Sequence, residues 1–542
     1  MQTRLDIQAK SLTPNELIQA MLRASVDLLW NGGIGTYVKA QTEHNIEVGD
    51  RTNDTLRVNG QDLRCQVVGE GGNLGFTQLG RIEYALKGGH INTDAIDNSG
   101  GVDCSDHEVN IKILLNAIVA NEDMTEKQRN LMLADMTETV GKLVLKNNYL
   151  QTQALGISQT IAPQLLDLHS RFIRRLEKEG HLDRQLEFLP TDKVLAKRRT
   201  KQQGLTSPEL CVLQAYSKIT LYNQLLDSDL PEEGYFNTVL ENYFPVPLPQ
   251  RFADSIAQHR LRREIIATVL TNVVVNRANS VFIYLLNEET GVTAPDIVRA
   301  FMVAWAVFDM QSLWDEIEAL DNQVSAKVQI GIMIEARKQI ERASRWLIRH
   351  HGLPLDIAET IKALHSGAGQ LADNLLDLIS NTDKEMLETK VQNLVDAGVP
   401  INLATRVAIL EPWLSALDIV EVANTTTVDL SKVATVYFTL GTDLKLHWLR
   451  ERIDNLPRDN RWAALSRSAL RDELYRTHRQ LTTVVLQTNT DIQEPTTQIA
   501  TWMAHKKVSI GRCLEVLSEI AHTENPELPM LSVALREIRN LL

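Results

Sequence analysis

Cys65-Gln-Val-Val-Gly-Glu-Gly-Gly-Asn73 and, one helix-length later, Asp97-Asn-Ser-Gly-Gly-Val-Asp-Cys-Ser-Asp-His-Glu108 decide how this chain is read. Each follows a short apolar run, residues 63–68 and 90–96, and both runs read as strands. Between them, Gln78 to Leu86 reads as a helix stopped by Gly88-Gly89. Strand, turn, helix, strand is the rhythm of a parallel sheet. Polar groups at the C-terminal tips of such strands are where open α/β sheets bind ligands.

The two tips carry different chemistry. In the first, Gly71 and Gly72 let backbone approach a ligand closely, and the Asn73 amide can donate to and accept from a carboxamide or a ribose hydroxyl. The same residues also suit a plain strand-to-helix turn. In the second tip, Ser105 reads as the N-cap of a helix, with Glu108 completing a capping box. A helix start also favours an anion, to which the Ser105 hydroxyl can donate. Asp103, Cys104, Asp106 and His107 have metal-ligand chemistry, but four crowded positions at one helix start cannot all converge on one ion, so no metal is expected. A third polar stretch, Asn31-Gly-Gly-Ile-Gly35, is a loop that can line a pocket or merely connect.

Outward from these tips the chain has two textures. Before residue 110 short β-like runs alternate with turns: Thr13-Pro14-Asn15-Glu16 opens a helix with a capping box, and Asn59-Gly60 reads as a hairpin turn. After Asp103 the pattern is helical to Leu542. Thr125 with Gln128 reads as a capping box, Ser207-Pro208 as a cap before an N1 proline, and Trp314, Ile317, Leu320, Val324, Val328 and Ile332 as the stripe of one long amphipathic helix. The prolines at 245, 247 and 249 mark an extended linker. The fold expected is therefore α/β followed by all-α: residues 1–115 as the C-terminal part of a Rossmann-like dinucleotide-binding domain, 116–245 as a helical segment packing on it, and 246–542 as a helical C-terminal domain. Gly367-Ala-Gly-Gln-Leu-Ala372 imitates a dinucleotide fingerprint, but no strand precedes it, so it is set aside.

Composition narrows the function. A net charge of -13 argues against nucleic acid as a partner, because such binders present a basic face. The stretch 265–275, interrupted by Thr268, Thr271 and Asn272, is far short of the ~20 apolar residues that span a bilayer, so no membrane partner is expected. Met1-Gln-Thr-Arg-Leu-Asp6 lacks the apolar core of a secretory leader. Four scattered cysteines, Cys65, Cys104, Cys211 and Cys513, read as reduced thiols, and a cytoplasmic setting is expected. P-loop, His-Glu-x-x-His and Gly-x-Ser-x-Gly signatures are missing.

Together the two tips resemble the glutamate dehydrogenases, in which Glu-Gly-Ala-Asn is followed by Asn-Ala-Gly-Gly-Val-x-x-Ser; here these are Glu70-Gly-Gly-Asn73 and Asn98-Ser-Gly-Gly-Val102-Asp-Cys-Ser105. Longer runs resemble the large bacterial NAD-specific form: Gly32-Gly-Ile-Gly-Thr-Tyr37, Gly49-Asp-Arg-Thr-Asn53, Arg57-Val-Asn-Gly60, Gly80-Arg-Ile-Glu-Tyr84, Leu205-Thr-Ser-Pro-Glu-Leu210 and Asn272-Val-Val-Val-Asn-Arg277. The resemblance implies oxidative deamination of L-glutamate to 2-oxoglutarate and ammonium with reduction of NAD, by a homo-oligomer. It implies that Asn73 and Asn98 face the nicotinamide and its ribose, with Gly71 and Gly72 beside them in the cofactor segment. Ser105 would bind the substrate side-chain carboxylate and Val102 would line that pocket. The family's catalytic lysines and aspartate, and its Gly-rich phosphate turn, have no match before residue 65. Lys39 and Asp54 lie in matched segments but outside those motifs. The expectation is thus a C-terminal portion of the enzyme, inactive alone; the alternative is a non-catalytic helical scaffold for assembly or regulation.

Overall fold

A computed structural model describes residues 5, 7, 9, 11–457, 460–488 and 494–542. Of the first six residues, read above for a leader, only Leu5 is among them. The chain divides into two compact units, Met1–Tyr284 and Leu285–Leu542.

In the first unit, helix Pro14–Leu22 carries the capping box its sequence announced: the Glu16 carboxylate accepts from Thr13 N at 2.8 Å, and Thr13 Oγ1 accepts from Glu16 N at 3.3 Å. Four short strands follow: β1 Leu28–Asn31, β2 Val38–Lys39, β3 Val58–Asn59 and β4 Val67–Glu70. They pair as two separate two-stranded parallel sheets, β1 with β4 and β2 with β3. Asn31 lies opposite Glu70. Beneath them Val38, Val58, Leu63, Cys65, Val68, Phe76, Tyr84 and Ile91 form one apolar cluster.

Several expectations are corrected here. The described residues contain no continuous dinucleotide-binding sheet. The run 63–68 becomes strand only from Val67, and 90–96 contributes a single parallel bridge, His90 to Val67, before helix Asp94–Asp97 begins. Asn59-Gly60 is not a hairpin turn: β3 runs parallel to β2, and Gly60 opens a 3-10 turn where a Cβ would stand 2.5 Å from the Gly80 carbonyl. Close approach to the next helix explains this glycine. That helix, Gln78–Leu86, has the predicted bounds, and Gly88 after it takes a left-handed φ of +101°.

The rest of the first unit is helical. Helix Thr137–Lys178 runs 42 residues, about 63 Å at the α-helical rise, with Pro163 inside it. Gly204 sits against that proline turn, where a Cβ would lie 2.5 Å from Ala162. Helices Ser207–Leu226 and Arg262–Ala278 pack on the long helix and on each other. Thr206, rather than Ser207, caps the first of these. Glu209 closes that capping box and also takes both Arg198 Nη atoms at 2.6 and 2.9 Å, so the Leu205-Thr-Ser-Pro-Glu-Leu210 run is a buried structural joint. The proline run near 245 is a tight turn between helices Asn237–Tyr243 and Leu248–Ala257, not an extended linker.

Every element in the second unit is a helix among the described residues. The stripe from Trp314 to Ile332 is split between Met310–Glu318 and Ala326–His350, because Asn322 adopts a φ of +61° and Ser325 caps the second helix. Gly367 lies inside helix Ile357–Leu378, where a Cβ would meet Val420 at 2.6 Å. Among the described residues no single helix is long and apolar enough to cross a membrane.

Candidate functional site

β4 ends in Glu70, whose side chain turns inward and is fully buried. Arg81, from the middle of helix Gln78–Leu86, grips it with Nε to Oε2 at 2.6 Å and Nη2 to Oε1 at 2.9 Å. Phe76 N donates to the same carboxylate at 3.2 Å. Burial pushes the Glu70 carboxyl up, and the Arg81 guanidinium opposes that shift. Arg81 also reaches Asp94 at 3.2 Å, while Asp97 accepts from Glu70 N at 3.0 Å and from Asn92 Nδ2 at 3.1 Å. Burial raises Asp97 as well. The Glu70–Arg81 pair thus joins the end of β4, the loop after it, and helix Asp94–Asp97.

That joint brings the two sequence motifs together. Asn98 Nδ2 donates to Asn73 Oδ1 at 2.9 Å, although the residues are 25 positions apart. Among the described residues neither side chain makes another hydrogen bond. The pair therefore keeps the Asn73 NH2 group and the Asn98 amide oxygen wholly unused, and exchanging both amides leaves the same inventory. A carboxamide needs one acceptor and one donor.

Gly71 and Gly72 have a packing role. Their N–H groups both donate to Asn31 O, at 2.9 and 3.0 Å. A Cβ on Gly71 would stand 2.4 Å from the Trp30 ring, and one on Gly72 would stand 2.3 Å from Gly33 O. The absent side chains let the Asn31–Gly35 loop seat against this turn, and the glycine amides are spent in doing so. Around the same loop Arg57, 6% exposed, donates to Thr36 O, Asn45 Oδ1, Asp54 Oδ1 and Asp50 O, which makes the matched 49–60 segment a structural hub. Lys39 is engaged by Asn59 Oδ1 at 2.7 Å.

Ser105 is not an N-cap. Helix Ser99–Ala120 begins six residues earlier, so the Ser105–Glu108 capping box is corrected, as is the reading of Ser105 beside free helix-terminal amides. The Gly-Gly pair stays helical because Asn148 Nδ2 ties Ile96 O and Ser99 Oγ at 2.9 Å each. In its helical place, however, Ser105 shares a face with Asn98 and Val102: steps of four and seven residues align them along roughly 10 Å of axis. Val102 and Ser105 are both exposed. The opposite face is buried, with His107 stacked on Tyr243 at 4.6 Å and Asp103 held by Asn147 at 2.8 Å. Behind it Lys218, bonded to Gln151 Oε1 at 2.8 Å, is lowered by burial to about 7, against the pull of Asp103. Among the described residues no group of three or more His, Cys, Asp or Glu is placed to hold a metal ion.

Sequence comparison bears on what this arrangement belongs to. Residues 1–158 match the family described as "Bacterial NAD-glutamate dehydrogenase, catalytic domain", and residues 202–540 match "Glutamate dehydrogenase, C-terminal". The chain belongs to the bacterial NAD-specific glutamate dehydrogenase family. It is 44% identical over 541 residues to the NAD-specific glutamate dehydrogenase of Pseudomonas aeruginosa, covering 100% of this chain and 33% of that protein. The enzymes of the same name from Halomonas elongata and Mycobacterium tuberculosis are 41% and 39% identical, each covering 99% of this chain and 33% of the relative. The chain spans about a third of the length of the curated relatives it matches. With relatives matched along the whole chain and the catalytic-domain family matched over residues 1–158, the expectation of a C-terminal portion that is inactive alone is not supported.

Sequence reasoning missed Arg81, Asp94 and Asp97. The visible signal was a lone arginine on the apolar face of helix Gln78–Leu86, the pattern of a buried pair awaiting its carboxylate.

Proposed function

We propose that this chain takes part in NAD-linked oxidative deamination, in which L-glutamate, NAD and water give 2-oxoglutarate, ammonium, NADH and a proton. Bound NAD supplies the hydride acceptor. Asn73 and Asn98 hold the nicotinamide carboxamide through their free donor and acceptor. Val102 forms the apolar wall of the substrate site, and Ser105 Oγ donates to the glutamate γ-carboxylate, a charge-assisted bond of roughly 1.5–3 kcal/mol. The observation that carries this reading is the Asn98 to Asn73 contact, which joins the two family motifs at one point. The aligned face of Asn98, Val102 and Ser105 supports it, as does family membership.

The same proposal takes β1 and β4 as part of a larger dinucleotide-binding sheet. Its support is the parallel β4–helix–bridge order, and the outer edge of β1, which has no strand partner among the described residues and exposes Leu28 and Trp30. A cytoplasmic homo-oligomer is the form proposed for the working enzyme. The test is NADH formation followed at 340 nm with the protein made from its native reading frame. L-glutamate should drive it and D-glutamate should not; no L-glutamate-dependent NADH would sink the proposal.

A further inference from the structure

Four helices of the second unit, Ile401–Trp413, Leu430–Asp443, Leu446–Asp454 and Arg461–Gln487, leave an opening between them. About 20 Å³ of it can be reached by a water-sized sphere, above the roughly 10–15 Å³ that one water needs. Tyr437, Phe438, His447, Arg450, Tyr475 and His478 line its centre, and no residue of its lining is acidic. Two polar groups face it without a hydrogen-bond partner. The nearest carboxylate oxygen to Arg450 is Glu411 Oε1 at 3.6 Å, beyond hydrogen-bond reach, and no acceptor among the described residues takes a hydrogen bond from its five N–H groups. His447 Nε2 is buried and has no partner.

The surroundings reserve these groups rather than satisfy them. Gly441 admits the imidazole: a Cβ there would lie 2.8 Å from His447 Nε2. His478 stacks on Tyr437 with ring centroids 3.6 Å apart, and its Nε2 is engaged by Tyr437 O at 2.8 Å. The nearby acids are already committed. Asp418 takes Trp346 Nε1 at 2.8 Å and Tyr437 OH at 3.2 Å. Asp454 is shared by Arg342, Arg467 and Arg471. Glu411 is held below its ordinary range first by Arg450 and then by Arg342, Lys390 and Lys338, so one carboxylate faces four cations. Arg450 is only partly buried, its fork takes no hydrogen-bond acceptor and its one carboxylate neighbour stands at 3.6 Å, so an oxyanion with two in-plane oxygens can still enter that fork.

We propose that this opening binds one oxyanion group, a carboxylate or a phosphate, in the fork of Arg450 with His447 beside it. The site lies within the second unit and does not depend on the glutamate site of the first. The test uses the 542-residue chain with sodium acetate and with sodium phosphate as probes, against sodium chloride at equal ionic strength. At least one probe should raise the unfolding temperature saturably in the millimolar range, and a soaked crystal should show it between Arg450 and His447. Response to acetate alone assigns a carboxylate, and response to phosphate alone a phosphate. Arg450→Lys should weaken the midpoint at least tenfold, since an ammonium lacks the planar fork. Gly441→Ala, which keeps Arg450 and displaces the imidazole, should weaken it as well. Probe effects equal to chloride in the unaltered chain, or a saturable effect undiminished in both variants, would overturn the proposal.

Discussion

Removing Arg81 should do more damage than any other single change near the two Asn-bearing loops. Arg81→Met leaves Glu70 fully buried with its charge unanswered, next to Asp94 and Asp97. Two unit charges about 4 Å apart at an effective dielectric of about 20 interact by roughly 4 kcal/mol. Breaking one side of a buried pair costs about 3–5 kcal/mol, so the two routes agree. Glu70→Gln should cost less, about 1–3 kcal/mol, because its amide oxygen still accepts from Phe76 N and Arg81 still faces Asp94 at 3.2 Å. With both changes the stranded charge is gone, so the double variant should be about 2–4 kcal/mol more stable than the sum of the single losses implies. Hydrogen exchange on peptides covering residues 67–98 reads this locally, which suits a chain of two units better than a global midpoint. A loss of about 4 kcal/mol is nearly a thousandfold in protection. Protection reduced less than tenfold by Arg81→Met, or strictly additive changes in the cycle, would refute the argument that this joint holds the site.

Three further outcomes are expected. Ser105→Ala should raise the KM for glutamate by about tenfold or more while leaving the KM for NAD within about twofold, since one charge-assisted bond of roughly 1.5–3 kcal/mol is lost on the substrate side only; equal changes in both would remove Ser105 from the substrate site. Gly72→Ala places a methyl 2.3 Å from Gly33 O and should cost about 1–3 kcal/mol, seen as faster exchange in both the 31–35 and 70–77 loops; unchanged exchange would contradict the close seating of these loops. His169 is buried with Nδ1 unpartnered, and burial lowers it to about 4. Its neutral form is favoured in the folded chain, so its contribution is complete above about 6.5 and is lost as pH falls from there toward about 4, roughly 3 kcal/mol in all. In urea titrations across that window His169→Leu should flatten the acid loss relative to the unaltered chain; parallel curves would show that His169 does not supply it.

What the sequence made legible was local. Thr13 with Glu16 and Thr125 with Gln128 form their capping boxes because a side chain three residues away supplies the bond. Helix Gln78–Leu86 and the helical second unit followed from periodicity and from glycine stops. The failures share a cause at a distance. Residues 99–101 have turn-like composition, yet Asn148, some 50 positions on, ties Ile96 O and Ser99 Oγ at the start of their helix, and Ser105 goes with them. Asn59-Gly60 looks like a hairpin until the carbonyl of Gly80 explains the glycine. The 314–332 stripe keeps its period across a turn because Leu313, Trp314, Ile317 and Ile332 on either side of that turn are all buried. Of the candidate site, Asn73 and Asn98 were visible as motif residues. Their contact depends on Glu70, Arg81 and Asp97, whose pairing no local pattern encodes.

Kinetics of NAD reduction by Asn73→Ala, Asn98→Ala and the double variant, made in the protein from its native reading frame, test the central claim most directly. If the two amides act as one carboxamide-binding pair, each single change should lower kcat/KM for NAD by roughly 10- to 100-fold, two charge-neutral hydrogen bonds at about 0.5–1.5 kcal/mol each plus the loss of positioning. The double variant should be no worse than the worse single one. Full kcat/KM for NAD in either single variant, or losses that multiply in the double, would contradict the account.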